Sequence, residues 1–345
     1  MKHAHWHRLL VFTLAAGGQM AQTASALITI ETVPVGNAGN ASDSTTGFGA
    51  VVYDYRIGTY EVTLNQYCAF LNAVAKTDTY GLYNPSMGTD LNVAGVSRGG
   101  ESGNYTYSVI GSGLRPVTHV SWYDSARFVN WLQNGQPTGT QNASTTEQGA
   151  YTLNGVLSGI ISRNANVTYG LPSEDEWYKA AYHQPVGQGG DTDDYWLYPT
   201  ANNAIPNSRN GSGSDANSAN FFRNDGITNG FNGGYAVTDS TTYSGSQNYL
   251  TDAGAFSLAA SFYGTFDQGG NVWEWNDLEY GSTRGLRGGG WGAYESEMRA
   301  SFRLVYAPAN EDSSTGFRIV IVPEPSAFAL LSLGISGLVL RRLRY

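Results

Sequence analysis

Residues 264–320 constrain the fold more than any other part of the chain, because they combine tryptophans with clustered glycines. They contain three short glycine-bearing segments: GGNVWEW (269–275), RGGGW (287–291) and GFR (316–318). In an extended backbone, successive side chains point to opposite faces, so Trp273 and Trp275 would share one face and Glu274 would take the other. The stretch therefore predicts a tryptophan-rich β core, with one carboxylate beside a glycine turn.

Two later segments of the same stretch also predict strands. Residues 299–304 alternate between polar and apolar side chains, and residues 316–322 are rich in β-branched side chains. An earlier strand is predicted at residues 51–57, continuing through 59–62. These strands would form the sheets onto which the helices pack.

Composition points to one large, loop-rich domain. The 345 residues can bury a sizeable core, only 14% of them are charged, and they include 44 glycines and 23 tyrosines. The formal net charge is -9, and the basic residues are scattered. Since nucleic-acid binding depends on neutralising phosphates with clustered basic residues, it is not expected.

Cysteine and histidine are too sparse for several kinds of site. Cys68 is the only cysteine, so an intramolecular disulfide is impossible. It lies on the apolar stripe of a predicted helix, where a free cysteine is usually an inert core residue. If the N-terminal leader is removed, His119 and His183 are the only histidines left.

Three helices are predicted from their start signals. Each begins with a hydroxyl side chain that can cap the first turn, followed three residues later by a polar or acidic partner: Thr63 with Gln66, Ser121 with Asp124, and Ser173 with Glu176. The segments between them, 77–113 and 135–146, are predicted loops. Residues 184–248 are low in complexity, and we expect something, such as bound cations, to tether so long a loop.

Both ends of the chain predict targeting signals. Residues 1–26 have basic residues, an apolar run and a small-residue end, the layout of a secretory signal peptide. Residues 323–345 contain Pro-Glu-Pro, an apolar segment and an arginine cluster. This order resembles the PEP-CTERM sorting tail of Gram-negative bacteria. The resemblance implies brief membrane insertion, processing by an exosortase, and export to the outer envelope or extracellular matrix.

The body of the chain, residues 27–322, resembles the formylglycine-generating enzyme, or sulfatase-modifying factor, family. Six segments match in the family's order: YEVT (60–63), RPVTHVSW (115–122), LPSEDEW (171–177), GNVWEW (270–275), RGGGW (287–291) and GFR (316–318). The resemblance implies an α+β, C-type-lectin-like fold, with short sheets, a few helices and long irregular loops.

The resemblance also implies two structural calcium sites. Hard oxygen ligands around glycine-permitted turns suit calcium in an extracellular module, and Asn271 and Asp277 add further oxygens. The ligands implied for the first site are the side chains of Asp267 and Glu274 and the carbonyl groups of Gly270 and Val272. Those implied for the second are Asn220 and Phe221.

One departure from the family concerns its chemistry. Relatives generate formylglycine with a cysteine pair that holds copper, but residues 290–298 read GWGAYESEM and contain no cysteine. Other side chains cannot replace a thiolate that binds soft copper. We therefore expect neither copper nor formylglycine-generating activity.

Two hypotheses for function follow. The first is a calcium-stabilised binding module that uses tyrosines in its polar loops to bind a carbohydrate, a matrix polymer or a protein. These tyrosines are at positions 105, 107, 195, 198, 235, 243 and 249. The second is an enzyme of another chemistry, such as an iron-dependent oxidation. Its ligands could only be His119, His183 and an acid such as Glu174 or Asp175.

Overall fold

The computed structural model describes residues 27–210 and 215–323. The predicted signal peptide and all but the first residue of the predicted sorting tail lie outside this part of the chain. Within it, no helix has the length and apolar character needed to cross a membrane.

The described residues form four α-helices: α1 (Leu64–Val74), α2 (Ser86–Thr89), α3 (Trp122–Gln133) and α4 (Glu174–Tyr182). All three predicted helix starts are confirmed, because Thr63, Ser121 and Ser173 each accept a hydrogen bond from the backbone three residues on. Each reciprocal bond of the capping box is also present. A cap of this kind stabilises a helix by about 1 kcal/mol.

Strands are short and numerous. In chain order they are β1 (Thr32–Val35), β2 (Tyr55–Gly58), β3 (Val96–Gly99), β4 (Thr106–Val109), β5 (Tyr169–Gly170), β6 (Asn207–Ser208), β7 (Ser218–Ala219), β8 (Phe222–Asn224), β9 (Gly233–Tyr235), β10 (Trp273–Tyr280), β11 (Thr283–Arg287), β12 (Leu304–Tyr306), β13 (Thr315–Phe317) and β14 (Val320–Ile321). Two four-stranded sheets have the orders β1-β2-β14-β5 and β12-β11-β10-β13, and three further pairs are two-stranded. The predicted α+β architecture is confirmed.

Strand β10 has the predicted alternation. Trp275 is fully buried and donates its Nε1–H to the carbonyl of Val120 at 2.9 Å, which fixes one face of the strand against the core. Glu274 points to the other face and is also fully buried, because α4 covers that side through Trp177. The sheet is therefore enclosed on both faces at this point.

Helix α3 lies at the centre of the aromatic core. All of its side chains from Trp122 to Leu132 are buried, and Phe128 packs against Phe70 and Phe317 with ring centroids 5.3 and 5.4 Å apart. Cys68, on the adjoining α1, is only 7% exposed, and burial raises the pKa of its thiol. The prediction that Cys68 is a buried core residue is confirmed.

The predicted closing strand over 316–322 is wrong as a single element. The chain leaves one sheet after β13 and enters the other at β14, and the residues between them include Arg318, whose guanidinium is fully buried. Residues 299–303 are likewise not a strand, because the Arg287 guanidinium takes the carbonyls of Ala300 and Phe302 at 2.7 and 2.5 Å. In both places a buried arginine replaces sheet hydrogen bonding.

Other predicted boundaries also shift. The predicted strand over 51–57 and 59–62 is limited to β2, and the predicted loop over 77–113 contains α2 and the β3–β4 hairpin.

In the low-complexity stretch, residues 184–248, amide side chains anchor the backbone. Asn232, for example, accepts from the Ser208 amide at 2.8 Å and donates to Asp225 at 3.0 Å. Hydrogen bonds thus tether the described part of this loop, and cation tethering stays a prediction.

Candidate functional site

A fully buried ion pair joins Glu274 in β10 to Arg318, which lies between β13 and β14. Glu274 Oε2 accepts from Arg318 Nε at 2.5 Å, and Glu274 Oε1 accepts from Arg318 Nη2 at 2.6 Å. Trp177 Nε1 donates to Glu274 Oε2 at 2.7 Å. Both carboxylate oxygens are therefore already engaged, in the bidentate geometry that makes arginine–carboxylate pairs strong.

Arg318 uses its remaining donors on backbone carbonyls. Nη1 donates to Gly58 at 2.9 Å and Nη2 to Phe266 at 2.9 Å. The guanidinium therefore connects β2, the loop before β10, and β10 itself. This explains why the chain can pass from one sheet to the other at Arg318 without leaving its polar groups unsatisfied.

Two further carboxylates lie close to this pair. Burial, and next the charge of Asp267, raise the pKa of Glu61 well above its ordinary value, and burial raises the pKa of Asp267 to about 6. Glu61 Oε1 accepts from Asn271 Nδ2 at 3.1 Å, while Glu61 Oε2 is buried with no hydrogen-bond partner among the described residues. Both carboxyl groups are therefore shifted toward their neutral, protonated forms.

The residues predicted for the second calcium site lie beside those of the first. The backbone amide of Asn271 donates to the carbonyl of Asn220 at 2.7 Å, and a Cβ added at Gly270 would lie 2.3 Å from that same oxygen. The carbonyl of Phe221 accepts from Ser208 Oγ at 2.5 Å. These two carbonyls already have protein donors.

The predicted first calcium set fits the structure only in part. Glu274 is committed to Arg318, but the unpartnered oxygen of Glu61 and the carboxyl of the buried Asp267 supply hard oxygen atoms. Among the described residues, no group of three or more His, Cys, Asp or Glu side chains is placed so that it could hold a metal ion. A cation here would therefore depend on backbone carbonyls as well as on Glu61 and Asp267.

The structure does not bring the predicted iron ligands together. His119 Nε2 lies 3.1 Å from Asp90 Oδ2, whereas His183 Nδ1 lies 2.7 Å from the Tyr263 hydroxyl. Glu174 pairs with Arg287 at 2.5 Å, and Asp175 accepts from the Gly49 amide at 2.7 Å. Each of these side chains has its own structural partner, and no three His, Cys, Asp or Glu side chains of the described residues are placed to hold a metal ion, so the predicted facial iron triad is wrong.

The cysteine-free segment 290–298 lines a cleft together with Trp273. Trp273 and Trp291 line a cavity of about 270 Å³. Gly290, Gly292, Glu297 and Ser313 also line it. A Cβ at Gly290 would lie 3.1 Å from Ser314 and 3.3 Å from Trp273, so glycine allows the close approach of the chain there. At Gly292 an added Cβ would meet nothing within 4 Å, so that position faces open space.

A set of aromatic side chains, here called the aromatic patch, adjoins this cleft. Its members are Phe222, Tyr235, Tyr243, Tyr249, Trp291 and Tyr294. Tyr249 stacks on Trp291 with centroids 4.8 Å apart and planes 8° apart, and Tyr243 stacks on Tyr249 at 5.8 Å and 14°. Tyr243 and Tyr294 are 54% and 56% exposed. The patch thus extends from the cleft to solvent.

The seven tyrosines predicted in polar loops have three different surroundings, and one of the patch members, Tyr249, is itself buried. Tyr235, Tyr243 and Tyr249 join the aromatic patch, whereas Tyr107, Tyr195 and Tyr198 are buried. Tyr105 lies under the guanidinium of Arg98 at 4.4 Å. Sequence reasoning missed Glu61 and the stacking of loop tyrosines on Trp291. The segment YEVT (60–63) included Glu61 only as part of a family motif. The contact of Tyr249 with Trp291 joins residues more than 40 positions apart, and no local sequence pattern predicts such a contact.

A model of the sulfatase-modifying factor enzyme 1-like domain matches residues 14–322. The chain belongs to this family. Its architecture of short sheets, few helices and long loops is the C-type-lectin-like α+β fold of formylglycine-generating-enzyme-like proteins.

Two curated relatives are described as inactive Cα-formylglycine-generating enzyme 2, from Bos taurus and from Mus musculus. Each is 26% identical over 222 residues, which is 60% of this chain and 52% or 51% of the relative. The chain therefore matches about half the length of these family members.

Three solved structures of similar fold are CarF, Treponema denticola variable protein 1, and PvdO from Pseudomonas aeruginosa. Their identities to the chain are 20%, 18% and 17%, and their TM-scores are 0.45, 0.42 and 0.41. The similarity covers 86%, 87% and 86% of this chain and 99%, 98% and 92% of theirs.

Proposed function

We propose that this protein is an exported, non-catalytic member of the family that binds an extracellular ligand through the cleft between Trp273 and Trp291. The observation that carries the proposal is that this cleft is lined by glycine, serine, glutamate and tryptophan, with no cysteine in the whole segment 290–298. A binding surface can survive this loss, whereas thiolate chemistry cannot.

The only thiol of the chain is unsuited to replace the missing pair. Cys68 lies in α1, is 7% exposed and has a raised pKa because it is buried. A copper ion needs deprotonated, accessible sulfur ligands, and two of them in the chemistry that the family resemblance implies. The description of the bovine and murine relatives as inactive supports the same proposal for this chain.

Copper competition tests this part of the proposal. The full chain is titrated with Cu(I) in the presence of a coloured chelator, beside a Cys68→Ala variant. We expect both proteins to leave the copper with the chelator. Tight copper binding by the wild type that survives Cys68→Ala would contradict the proposal, because it would show a copper site that needs no cysteine.

We also propose calcium as a structural ion near Glu61 and Asp267. The support is the unpartnered buried oxygen of Glu61 and the mutual repulsion of the two carboxylates, which a divalent cation would relieve. Glu274 stays with Arg318 in this proposal. Anything that binds only the folded state stabilises it, so chelation should lower the melting temperature.

The matched variants for calcium are Glu61→Gln with Asp267→Asn, and Glu279→Gln as a control on an exposed carboxylate. The double variant should melt at the same temperature with and without a chelator, while Glu279→Gln should respond as the wild type does. A wild-type melting temperature that does not change on chelation would sink the calcium proposal.

Export and C-terminal processing complete the proposal. Pro323-Glu324-Pro325, the apolar segment and the terminal arginines support recognition by an exosortase-type enzyme. Replacing the three residues 323–325 by alanines should leave an unprocessed, membrane-held protein. If that variant matures to the same mass as the wild type, the sorting proposal fails.

A further inference from the structure

We propose that the cleft binds one sugar ring of a neutral polysaccharide, and that the aromatic patch contacts the neighbouring rings. The inference rests on the proposed function, because it names the ligand class of the same cleft. It follows from the size of the cleft, its hydrogen-bonding groups and its charge.

The size and walls of the cleft suit one ring. Sites for drug-sized ligands enclose about 300–1,000 Å³, and this cleft encloses about 270 Å³. Trp273 and Trp291 give it apolar walls on which the C–H face of a pyranose can pack, as flat apolar surfaces do on aromatic rings. A larger apolar ligand would not fit.

The polar groups of the cleft match hydroxyl groups. Trp291 lines the cleft, and its Nε1 is buried with no hydrogen-bond partner among the described residues, so a ligand hydroxyl that reached it would satisfy it. Glu297 Oε2 accepts from the Tyr294 amide at 2.8 Å, which leaves Oε1 as an acceptor. A sugar hydroxyl is both a donor and an acceptor, so sugar hydroxyls can pair with the indole N–H and with the Glu297 carboxylate. An aliphatic ligand would leave the indole N–H unpaired.

Charge excludes acidic glycans. Glu297 is the only ionisable side chain that lines the cleft within the described residues, and the whole chain carries a formal net charge of -9. A uronate or sulfated sugar would meet a carboxylate with no cation to balance it. A neutral sugar pays no such cost.

The aromatic patch explains why a polymer is favoured over a single sugar. Tyr294, 56% exposed, lies within the segment 290–298 that lines the cleft, and the stack from Trp291 through Tyr249 reaches solvent at Tyr243. Aromatic side chains beside the cleft give neighbouring rings of a polymer further surfaces to contact.

Two glycine substitutions give a matched test. Gly292→Leu adds a side chain to an open position that lines the cleft, and Gly187→Leu adds the same side chain at another open position outside the cleft. Trp291→Phe keeps an aromatic wall but removes the indole N–H. Since one hydrogen bond contributes about 0.5–1.5 kcal/mol, this last variant should bind about 2- to 12-fold more weakly.

The full chain, purified in mild detergent, is applied to an array of neutral glucans, mannans and galactans, acidic polysaccharides and unstructured peptides. We expect retention on at least one neutral polysaccharide, loss of more than about 10-fold in Gly292→Leu, and none in Gly187→Leu. Peptide binding that Gly292→Leu abolishes would overturn the glycan inference and leave the cleft as the binding site. Neutral-glycan binding unaffected by Gly292→Leu would overturn the cleft itself, and with it the proposed function.

Discussion

The buried pair of Glu274 and Arg318 leads to a quantitative prediction. The change Glu274→Gln keeps the shape of the side chain but removes the negative charge that is hydrogen-bonded to the fully buried Arg318 guanidinium. Trp177 Nε1 then donates to an amide oxygen, which is a weaker acceptor than the carboxylate oxygen of Glu274. Removing one partner of a buried pair costs about 3–5 kcal/mol, because the remaining charge stays in a medium of low polarity.

The assay is equilibrium urea unfolding of the wild type and the variant, both in a calcium chelator so that no bound ion contributes. We expect Glu274→Gln to lower the free energy of unfolding by about 3–5 kcal/mol. The matched control is Glu279→Gln, since Glu279 lies 3.7 Å from Arg284 and its side chain is 46% exposed. Because the Glu279 carboxylate is exposed to water, although Arg284 is buried, its removal should cost about 0–1 kcal/mol.

A double variant distinguishes the cost of an unpaired buried charge from the cost of changed packing. Glu274→Met with Arg318→Met replaces both charges by apolar side chains, and it should be more stable than Glu274→Gln. If Glu274→Gln lowers the free energy of unfolding no more than Glu279→Gln does, the ion pair does not stabilise the connection between the sheets, which refutes the prediction.

Two further predictions concern other buried features. Burial, and next the charge of Lys179, lower the pKa of His183 from its ordinary value of 6.5 to about 4. As pH falls, the unfolded chain therefore protonates at His183 before the folded chain does. This contribution to the free energy of unfolding is complete above pH 6.5 and is lost as pH falls toward 4. Between pH 7.5 and 4.5, urea unfolding should show a decrease in the free energy of unfolding about 2 kcal/mol larger in the wild type than in His183→Asn. An equal loss in both proteins would contradict this. Gly270→Ala should lower the free energy of unfolding by at least about 2 kcal/mol in the same assay. The reason is that Gly270 has a φ of 85° and that an added Cβ would lie 2.3 Å from the Asn220 carbonyl oxygen. A decrease below about 0.5 kcal/mol would contradict this, because it would show that the turn can open.

Local signals in the sequence predicted the elements whose stability is local. The helix starts at Thr63, Ser121 and Ser173 were confirmed because a capping box is a contact between residues three positions apart. The alternation of Trp273, Glu274 and Trp275 was confirmed because period two is imposed by the strand itself.

The errors arose where a distant side chain replaces backbone pairing. A β-branched run at 316–322 looks like one strand, but Arg318 takes carbonyls from another sheet and divides it. Residues 299–303 alternate like a strand, yet Arg287 takes two of their carbonyls. Neither contact leaves a periodic pattern in the sequence, because the partner positions are set by tertiary packing.

The candidate site was predicted in the same uneven way. The RGGGW segment marked the place of the cleft, and the lack of cysteine there was visible at once. The stack of Tyr243 and Tyr249 on Trp291 was not, because those loop residues lie 48 and 42 positions earlier in the chain. Loop tyrosines that bind and loop tyrosines that fill a core look alike until their neighbours are known.

The most direct test of the central claim, a family fold without the family reaction, is the fate of the cysteine in a sulfatase-type peptide. The peptide is incubated with the full chain, copper and oxygen, and its mass is measured beside a reaction with an active formylglycine-generating enzyme. We expect the cysteine to remain unchanged with this protein while the active enzyme yields the aldehyde. Aldehyde formed by this chain would contradict the account.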